Sequence, residues 1–163
     1  MLLRLMAKPK ENEGERNIAV NRRARHDYFI SDTWEAGLVL VGTEVKSLRQ
    51  GKATITEAYV RLSDSNEAFL VGAHIQPWEA GNRNNHELAR TRKLLLHRRE
   101  LNRLIGKVNR DGYTLIPMRL YFKAGKVKLE IGLGKGKKQY DKRQDQKSHD
   151  AKRDIDRAKR QYR

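Results

Sequence analysis

Three glycines near the end of the chain's last strand-like segment form the pattern most similar to a nucleotide-binding signature. Gly132, Gly134 and Gly136 give G-x-G-x-G followed by a lysine, as in phosphate-binding loops. The Walker spacing is missing, and Lys138 stands where a serine or threonine would bind Mg²⁺. We therefore expect a flexible strand end with room for close backbone approach rather than a nucleotide site.

The histidines give little support for metal-dependent or acid–base catalysis. No two of the five make His-Glu-x-x-His or another tight ligand pair, which argues against a zinc or two-metal hydrolase. His26 and Asp27 could act as a base and its orienting carboxylate, but no serine in a G-x-S-x-G motif accompanies them. We expect no catalytic residues, no metal and no cofactor. A small RNA-processing enzyme that uses His26 or His97 stays an alternative.

Basic residues instead form four clusters, some of them beside aromatic side chains. Arginine and lysine neutralise phosphates, whereas histidine, tyrosine and arginine planes stack on unpaired bases. Each cluster alone would fit a solvated charged face, but four clusters on one small domain favour RNA binding. The clusters are Arg22, Arg23 and Arg25 with Tyr28 and Phe29; Lys46, Arg49 and Lys52; Arg90, Arg92 and Lys93; and Arg98, Arg99 and Arg103.

Composition supports the same class of partner. The chain has 163 residues, within the usual span of about 100–200 residues for one domain. It contains 36 basic and 20 acidic residues, so its formal net charge of +16 indicates a polyanionic partner. The absence of cysteine excludes disulfides, thiolate metal sites and cysteine nucleophiles. No apolar run is long enough for a signal peptide or membrane span, so we expect a cytoplasmic protein that binds no membrane.

Hydrophobic alternation predicts about six antiparallel strands. The patterned segments are residues 28–34, 38–41, 59–62, 69–75, 116–122 and 127–133. The last two segments form a predicted hairpin around residues 123–126. Pro117 cannot donate to a strand ladder, so we expect an edge, a bulge or a bend there.

Helical periodicity is clearest over residues 97–109. Leu94, Leu101, Leu104, Ile105 and Val108 share one face, and Gly112 is a stop signal. Leu95 points away from that face, so it either packs on a second element or contacts a partner. A shorter helix is predicted over residues 44–49, and the Gly- and Asn-rich residues 77–85 are predicted to form a loop.

Charge and apolar content divide the chain into three parts. Residues 135–163 carry a net charge of +7, against +9 for the first 134 residues. This basic tail has too few apolar residues to offset the entropy of ordering it, so we expect disorder in the free chain. Ala151, Ile155, Ala158 and Tyr162 form a narrow helical stripe that could order on a partner. We expect a mobile lead at 1–17, an RNA-binding domain at 18–134 and the tail at 135–163.

Many short strands with a few helices and no β-α-β alternation predict a mainly β fold. We expect a small antiparallel β-barrel of the oligonucleotide-binding type, closed or partly open, with helices on its flank.

Five ordered motifs resemble the small protein B family, the tmRNA-binding (SsrA-binding) proteins of bacterial trans-translation. The similarity runs from about residue 18 to 143. The motifs are residues 21–28 (NRRARHDY), 35–37 (EAG), 42–49 (GTEVKSLR), 91–96 (TRKLLL) and 135–143 (KGKKQYDKR). The resemblance implies a non-enzymatic RNA-binding protein with an oligonucleotide-binding-like barrel.

The resemblance also implies which residues face tmRNA. The family's contacts with the tRNA-like domain correspond to Tyr28, Glu35, Leu95, His97, Lys128 and Gly136. Basic support would come from Arg22, Arg23, Arg25, Lys46, Arg49, Arg92 and Lys93.

The remaining implications of the resemblance concern the tail and the partners. The tail is expected to fold as a helix in the empty mRNA channel of a stalled ribosome, near the decoding centre of 16S rRNA. The residues placed there are Lys137, Lys138, Tyr140, Asp141, Lys142 and Arg143. The expected partners are tmRNA, the ribosome and, indirectly through tmRNA, elongation factor Tu, with the protein itself a monomer. A structural ribosomal protein is a third alternative.

Overall fold

A computed structural model describes residues 14–161. The predictions for residues 1–13 and for Tyr162 lie outside the described residues. Within residues 14–161 the chain forms nine strands and four α-helices. In chain order they are β1 Glu15–Val20, α1 Ala24–Asp27, β2 Tyr28–Leu38, α2 Gly42–Arg49, β3 Ala53–Thr54, β4 Tyr59–Leu62, β5 Ala68–Val71, β6 His74–Ile75, β7 Arg92–Leu95, α3 Arg98–Asp111, β8 Thr114–Lys123, β9 Lys126–Gly136 and α4 Gln139–Gln161.

Seven of the strands form one antiparallel sheet, which confirms the mainly β fold with flanking helices. The strand order is β1-β8-β9-β2-β7-β5-β4, and β3 pairs separately with β6. The sheet curls, so that β4 at one edge contacts β8, and β1 at the other edge contacts β3. The result is a partly open barrel with more strands than the sequence pattern indicated.

The longest strand pairing is formed by β8, β9 and β2. A two-residue turn joins β8 to β9, in which Ala124 and Gly125 have φ angles of 49° and 74°, as tight hairpin turns require. The register of this hairpin shifts between Pro117 and Arg119, so of the edge, bulge or bend expected at Pro117 the structure shows a bulge. Asn21 binds at this bulge, where its side-chain amide donates a hydrogen bond to the Pro117 carbonyl oxygen at 3.1 Å.

The core lies inside the curled sheet and is closed by two helices. Alternate residues of β9, such as Leu129, Ile131 and Leu133, are fully buried. Helix α2 contributes Leu48, and α3 contributes Leu104, both also fully buried. The predicted helices at 44–49 and 97–109 are therefore present, with α3 ending at Gly112 in the left-handed conformation (φ 66°).

Several predicted boundaries are wrong. Leu94 belongs to β7 and is buried in the sheet rather than on the face of α3. The predicted strand at 38–41 is mostly the connection between β2 and α2. Strand β1 begins at Glu15, inside the predicted mobile lead, because β1 pairs with β8 and the Glu15 carboxylate lies 2.9 Å from Arg119.

The C-terminal boundary also differs from the sequence-based one. Strand β9 continues to Gly136, two residues into the predicted tail, because Lys135 and Gly136 still pair with β2. Helix α4 then spans Gln139–Gln161, and all of its residues from Arg143 to Arg160 are exposed. The tail, in which the sequence indicated a possible helix, is thus helical in the structure.

In residues 14–161 no helix is long and apolar enough to cross a membrane.

Candidate RNA-binding surface

Four residues implied by the family resemblance line one groove of the barrel. Glu35, Leu95, His97 and Lys128 meet where β7 passes towards α3, beside the β8–β9 turn. The sheet register explains this, because Gly37 pairs with Leu95 on one side and with Lys128 on the other. A side chain on Gly37 would contact Leu95, with the two Cβ atoms 3.4 Å apart. Strand β2 therefore forms a shallow floor between the two side chains.

Glu35 organises the cations on one side of this groove. Its Oε2 accepts a hydrogen bond from the Tyr121 hydroxyl at 2.6 Å and from Lys123 Nζ at 2.9 Å. Lys128 Nζ lies 3.9 Å from Oε1. The Tyr121 hydrogen bond, followed by that of Lys123, lowers the pKa of Glu35 below its ordinary value. The carboxylate is thus ionised at neutral pH and holds two lysines side by side.

Leu95 and His97 supply the other side of the groove. Leu95 is 53% exposed, although it ends a strand whose neighbouring Leu94 is buried. His97 is exposed at the N-terminus of α3, where its backbone N–H donates to the Glu100 carboxylate at 3.2 Å. Exposure of an apolar side chain beside ordered cations favours the partner-facing alternative that the sequence left open for Leu95.

Tyr28 and Gly136 lie away from this groove, at the opposite end of the same strand pair. They are directly paired across β2 and β9. Seven residues of extended chain separate Tyr28 from Glu35, which corresponds to about 20 Å. Residues Arg22, Arg23 and Arg25 are exposed beside Tyr28 on the segment that forms α1. The six residues implied by the resemblance therefore form two groups, which we call the groove site and the α1 site.

The remaining basic residues differ in how they are held. Lys46 Nζ lies 4.0 Å from the centre of the Trp78 ring. Arg49 adjoins a small hollow that it shares with Arg16 and Phe122. Lys93 lines the groove site and is paired with Glu67. Lys93 and Arg49 extend the positive charge around the groove site, because the hollow beside Arg49 shares Gly125 with it, whereas Lys46 lies against Trp78.

The prediction that Arg92 supports RNA binding is wrong. Arg92 is fully buried, and its Nε donates to Glu44 at 2.8 Å while Nη1 donates to the Ala73 carbonyl at 2.8 Å. Arg90 binds the same carboxylate from the partly exposed side at 2.8 Å. Burial would raise the pKa of Glu44, but the bonds from Arg90, the Val41 N–H and Arg92 outweigh it and lower the pKa. Arg92 stabilises the barrel instead.

The tail residues also divide into buried and exposed groups. Lys137, predicted to contact the decoding centre, has a side chain only 8% exposed, and its Nζ donates to the Arg25 carbonyl at 2.9 Å. Lys142 pairs with Asp27 at 3.2 Å, and Asp141 accepts a bond from the Lys138 N–H at 3.3 Å. The side chains of Lys138, Tyr140 and Arg143 are exposed. In this conformation Lys137 belongs to the barrel surface rather than to a free tail.

Two residues of the groove site, and one residue that connects the tail to α1 without belonging to either site, were not found by sequence reasoning. Tyr121, which donates to Glu35, stands between two residues of the apolar stripe predicted for β8. Because alternate residues of a strand point to opposite faces, this position could have shown that Tyr121 lies on the other face of β8. Gly37 lies in a recognised motif, but its position between Leu95 and Lys128 depends on the sheet register. Asp27 was considered only as the partner of His26, to which it is bonded at 2.9 Å. Among residues 14–161, no group of three or more acidic, His or Cys side chains could hold a metal ion.

Comparison with known proteins finds one family over most of the chain. A family model described as SmpB protein matches residues 18–161. The SsrA-binding protein of Exiguobacterium sp. is 56% identical over 155 residues, which cover 95% of this chain and 97% of the relative. The SsrA-binding protein of Geobacillus thermodenitrificans is 55% identical over 141 residues, which cover 86% of this chain and 90% of the relative.

A solved structure shows the same fold. It is described as "tmRNA-SmpB: a journey to the center of the bacterial ribosome" and is 50% identical in sequence, with a TM-score of 0.61. The match covers 74% of this chain and 84% of the other.

Proposed function

Because the chain belongs to the SmpB family, we propose that it is a cytoplasmic ribosome-rescue factor that binds the tRNA-like domain of tmRNA and delivers it to stalled ribosomes. It acts without catalysis, as a monomer, and meets elongation factor Tu only through tmRNA. The observation that carries the proposal is the groove site, where an exposed leucine lies beside lysines held in place by an ionised glutamate.

The groove site suits a nucleotide whose base and phosphate are both accessible. Lys123 and Lys128 present positive charge to phosphates, and Leu95 offers an apolar contact to an exposed base face. Tyr121 and Glu35 fix the lysines before RNA arrives, so that little side-chain entropy is lost on binding. The electrostatic attraction of the basic surface acts on any RNA, whereas the preformed groove site adds selectivity for an RNA that fits it.

The α1 site supplies a second contact on the same rigid strand pair. Tyr28 offers a ring that can stack on a base, and the arginines beside it can bind phosphates. Two contacts about 20 Å apart on one strand pair require an RNA with fixed shape. A regular duplex has a fixed shape but offers no unpaired base for Tyr28 to stack on, so a folded, tRNA-like RNA with exposed bases suits the two contacts better.

The exposed part of α4 suits the task of sensing an empty mRNA channel. A helix whose side chains are all exposed gains little from packing, so its formation depends on a partner that covers it. We propose that residues beyond Asp145 are disordered in the free protein and become helical along the rRNA of the channel, with Tyr140 and Arg143 near the decoding centre. An mRNA in the channel would exclude the tail, so the tail becomes helical only where the channel is empty and thereby distinguishes a stalled ribosome from a translating one.

The test is an electrophoretic shift of the full chain with the tRNA-like domain of tmRNA, competed by tRNA and by duplex RNA across a salt series. We expect binding that survives both competitors at roughly 0.2 M salt, where purely electrostatic affinity falls by orders of magnitude. Leu95→Ala should weaken binding about tenfold, since burial of a leucine contributes about 1.5–3 kcal/mol. Leu88→Ala, which removes an exposed leucine outside the groove site, is the matched control. Equal competition by all RNAs would contradict the proposal.

A further inference from the structure

The base of α4 is fastened to the barrel through α1, by one ion pair and by two hydrogen bonds from Lys137 to backbone carbonyls of α1. We propose that Asp27 is a positioning residue that fixes the direction in which the tail leaves the barrel. We call Asp27, Lys137, Lys142 and Asp145 the tail latch. The role of the latch in tagging depends on the proposed function, whereas its role in tail direction does not.

Helix α1 provides a rigid support for the latch. Ala24 is buried against Ile116 and Met118, so α1 packs directly on β8. The segment before the helix is held by Asn21, which is also buried and whose N–H donates to the Met118 carbonyl at 2.8 Å. Groups on α1 therefore move with the barrel.

Lys137 makes the first connection between α1 and the tail. Its backbone N–H donates to the Asp27 carbonyl at 2.8 Å, and its Nζ donates to the Arg25 carbonyl at 2.9 Å. The same Nζ also pairs with Asp145, two turns into α4. The Lys137 side chain is only 8% exposed, whereas that of Asp145 is 51% exposed, so Lys137 joins the end of the barrel to the first turns of the helix from a largely buried position.

Asp27 makes the second connection. Its Oδ1 accepts from Lys142 Nζ at 3.2 Å and contacts His26 Nδ1 at 2.9 Å. These hydrogen bonds, that of His26 first, hold the pKa of Asp27 below its ordinary value, so the carboxylate is charged at neutral pH. The two connections reach α4 at Lys142 and Asp145, nearly one turn apart. Two such points fix an axis, whereas one would leave the helix free to pivot.

The strength of the latch fits an element that must also open. The Asp27 and Lys142 side chains are 28% and 34% exposed, and partly exposed ion pairs are weak and sensitive to salt. Phosphates of an rRNA channel would compete with Asp27 for Lys142. The latch therefore directs the tail before contact and releases Lys142 once nucleic acid is available.

Spin labels can measure the tail direction in the free protein. The chain has no cysteine, so Asp64→Cys on an exposed barrel turn and Gln144→Cys on the exposed side of the first turns of α4 would be the two labelled positions. We expect Asp27→Asn to broaden the distance distribution measured by double electron–electron resonance. Asp32→Asn, an exposed aspartate of β2 outside the latch, should leave it unchanged.

A double-mutant cycle separates the ion pair from a general loss of structure. Lys142→Gln should broaden the distribution as Asp27→Asn does, and the double variant should broaden it no further, because the two changes remove one interaction. Equal distributions for Asp27→Asn and Asp32→Asn, or additive broadening in the double variant, would overturn the proposal.

A tagging assay then connects the latch to function. Asp27→Asn should bind the tRNA-like domain as the unmodified chain does but tag stalled peptides about two- to fivefold more slowly, the factor expected for a partly exposed ion pair. Tagging at the unmodified rate would remove the functional role of the latch. If the unmodified chain failed to bind the tRNA-like domain, the proposed function would be rejected. The distance measurements would still test whether the latch fixes the tail direction.

Discussion

The buried carboxylate of Glu44 has a role that its motif did not reveal. It lies on α2, is fully buried and accepts hydrogen bonds from Arg90, Arg92 and the Val41 N–H. These bonds join α2 to β7 and to the loop before it. A buried charge of this kind is tolerated because nearly all of its lone pairs are used. Its loss would leave Arg92 buried without its counter-ion.

Glu44→Gln should therefore destabilise the fold strongly. We expect a loss of about 3–5 kcal/mol in the free energy of unfolding, as for removal of one partner of a buried ion pair. Urea unfolding at neutral pH measures it. Glu57→Gln, which removes an exposed partner of Arg23, should change stability by less than about 1 kcal/mol.

The pH dependence of the stability lost in Glu44→Gln shows whether the charge of Glu44 causes that loss. The pKa of Glu44 is lowered in the folded chain from 4.5, so its stabilising effect is complete above pH 4.5 and is lost as the pH falls through the lower, folded value. The difference between the original chain and Glu44→Gln should shrink in acid. A difference that stayed constant, or that matched Glu57→Gln at neutral pH, would show that the charge is not what stabilises this contact.

At the scale of elements, the three glycines of β9 have different roles. A Cβ on Gly134 would lie 2.8 Å from the Phe29 carbonyl oxygen of the neighbouring strand, and one on Gly132 would lie 2.9 Å from Met118 Sδ. A Cβ on Gly136 would meet nothing within 4 Å. The first two glycines allow close packing of β9, while the third leaves an open surface at the α1 site.

Gly134→Ala and Gly136→Ala should separate stability from RNA binding. Since a backbone atom cannot move aside easily, we expect Gly134→Ala to lower the unfolding free energy by roughly 1–3 kcal/mol. Gly136→Ala should leave the thermal midpoint nearly unchanged and weaken binding to the tRNA-like domain. Thermal unfolding and the gel shift test both variants. Equal destabilisation by both would show that Gly136 is a packing residue, not part of a binding surface.

Local patterns predicted the elements whose signals lie within one segment. Strands β8 and β9, their turn and α3 follow from alternation, from the turn residues and from Gly112. The groove site depends on the pairing of β2 with both β7 and β9, which no local pattern contains. Arg92 was assigned to the surface for a related reason: its burial follows from Glu44, 48 residues away. Charge alone cannot distinguish a buried cation from one available to RNA.

At the scale of the whole molecule, the barrel and the tail should be separable. A chain ending at Lys137 keeps the pairing of β9 with Tyr28 and the bond from the Lys137 N–H to Asp27. We expect this truncated chain to retain most of its affinity for the tRNA-like domain and to lose peptide tagging, since both candidate sites lie on the barrel. Gel shift and a tagging assay are the measurements. Loss of binding in a truncated chain that still unfolds cooperatively would place part of the binding surface on α4.

The length of α4 makes its attachment point act as the fulcrum of a lever. Once the whole of α4 is helical along the rRNA, its 23 residues span about 34 Å at 1.5 Å per residue. A rotation of about 10° at the fulcrum would carry the far end sideways by roughly 6 Å, comparable to one turn of helix. A small change in one exposed ion pair would thus be magnified into a miss at the tip. The position of the far end of the tail therefore depends on the contacts that α4 makes with the barrel.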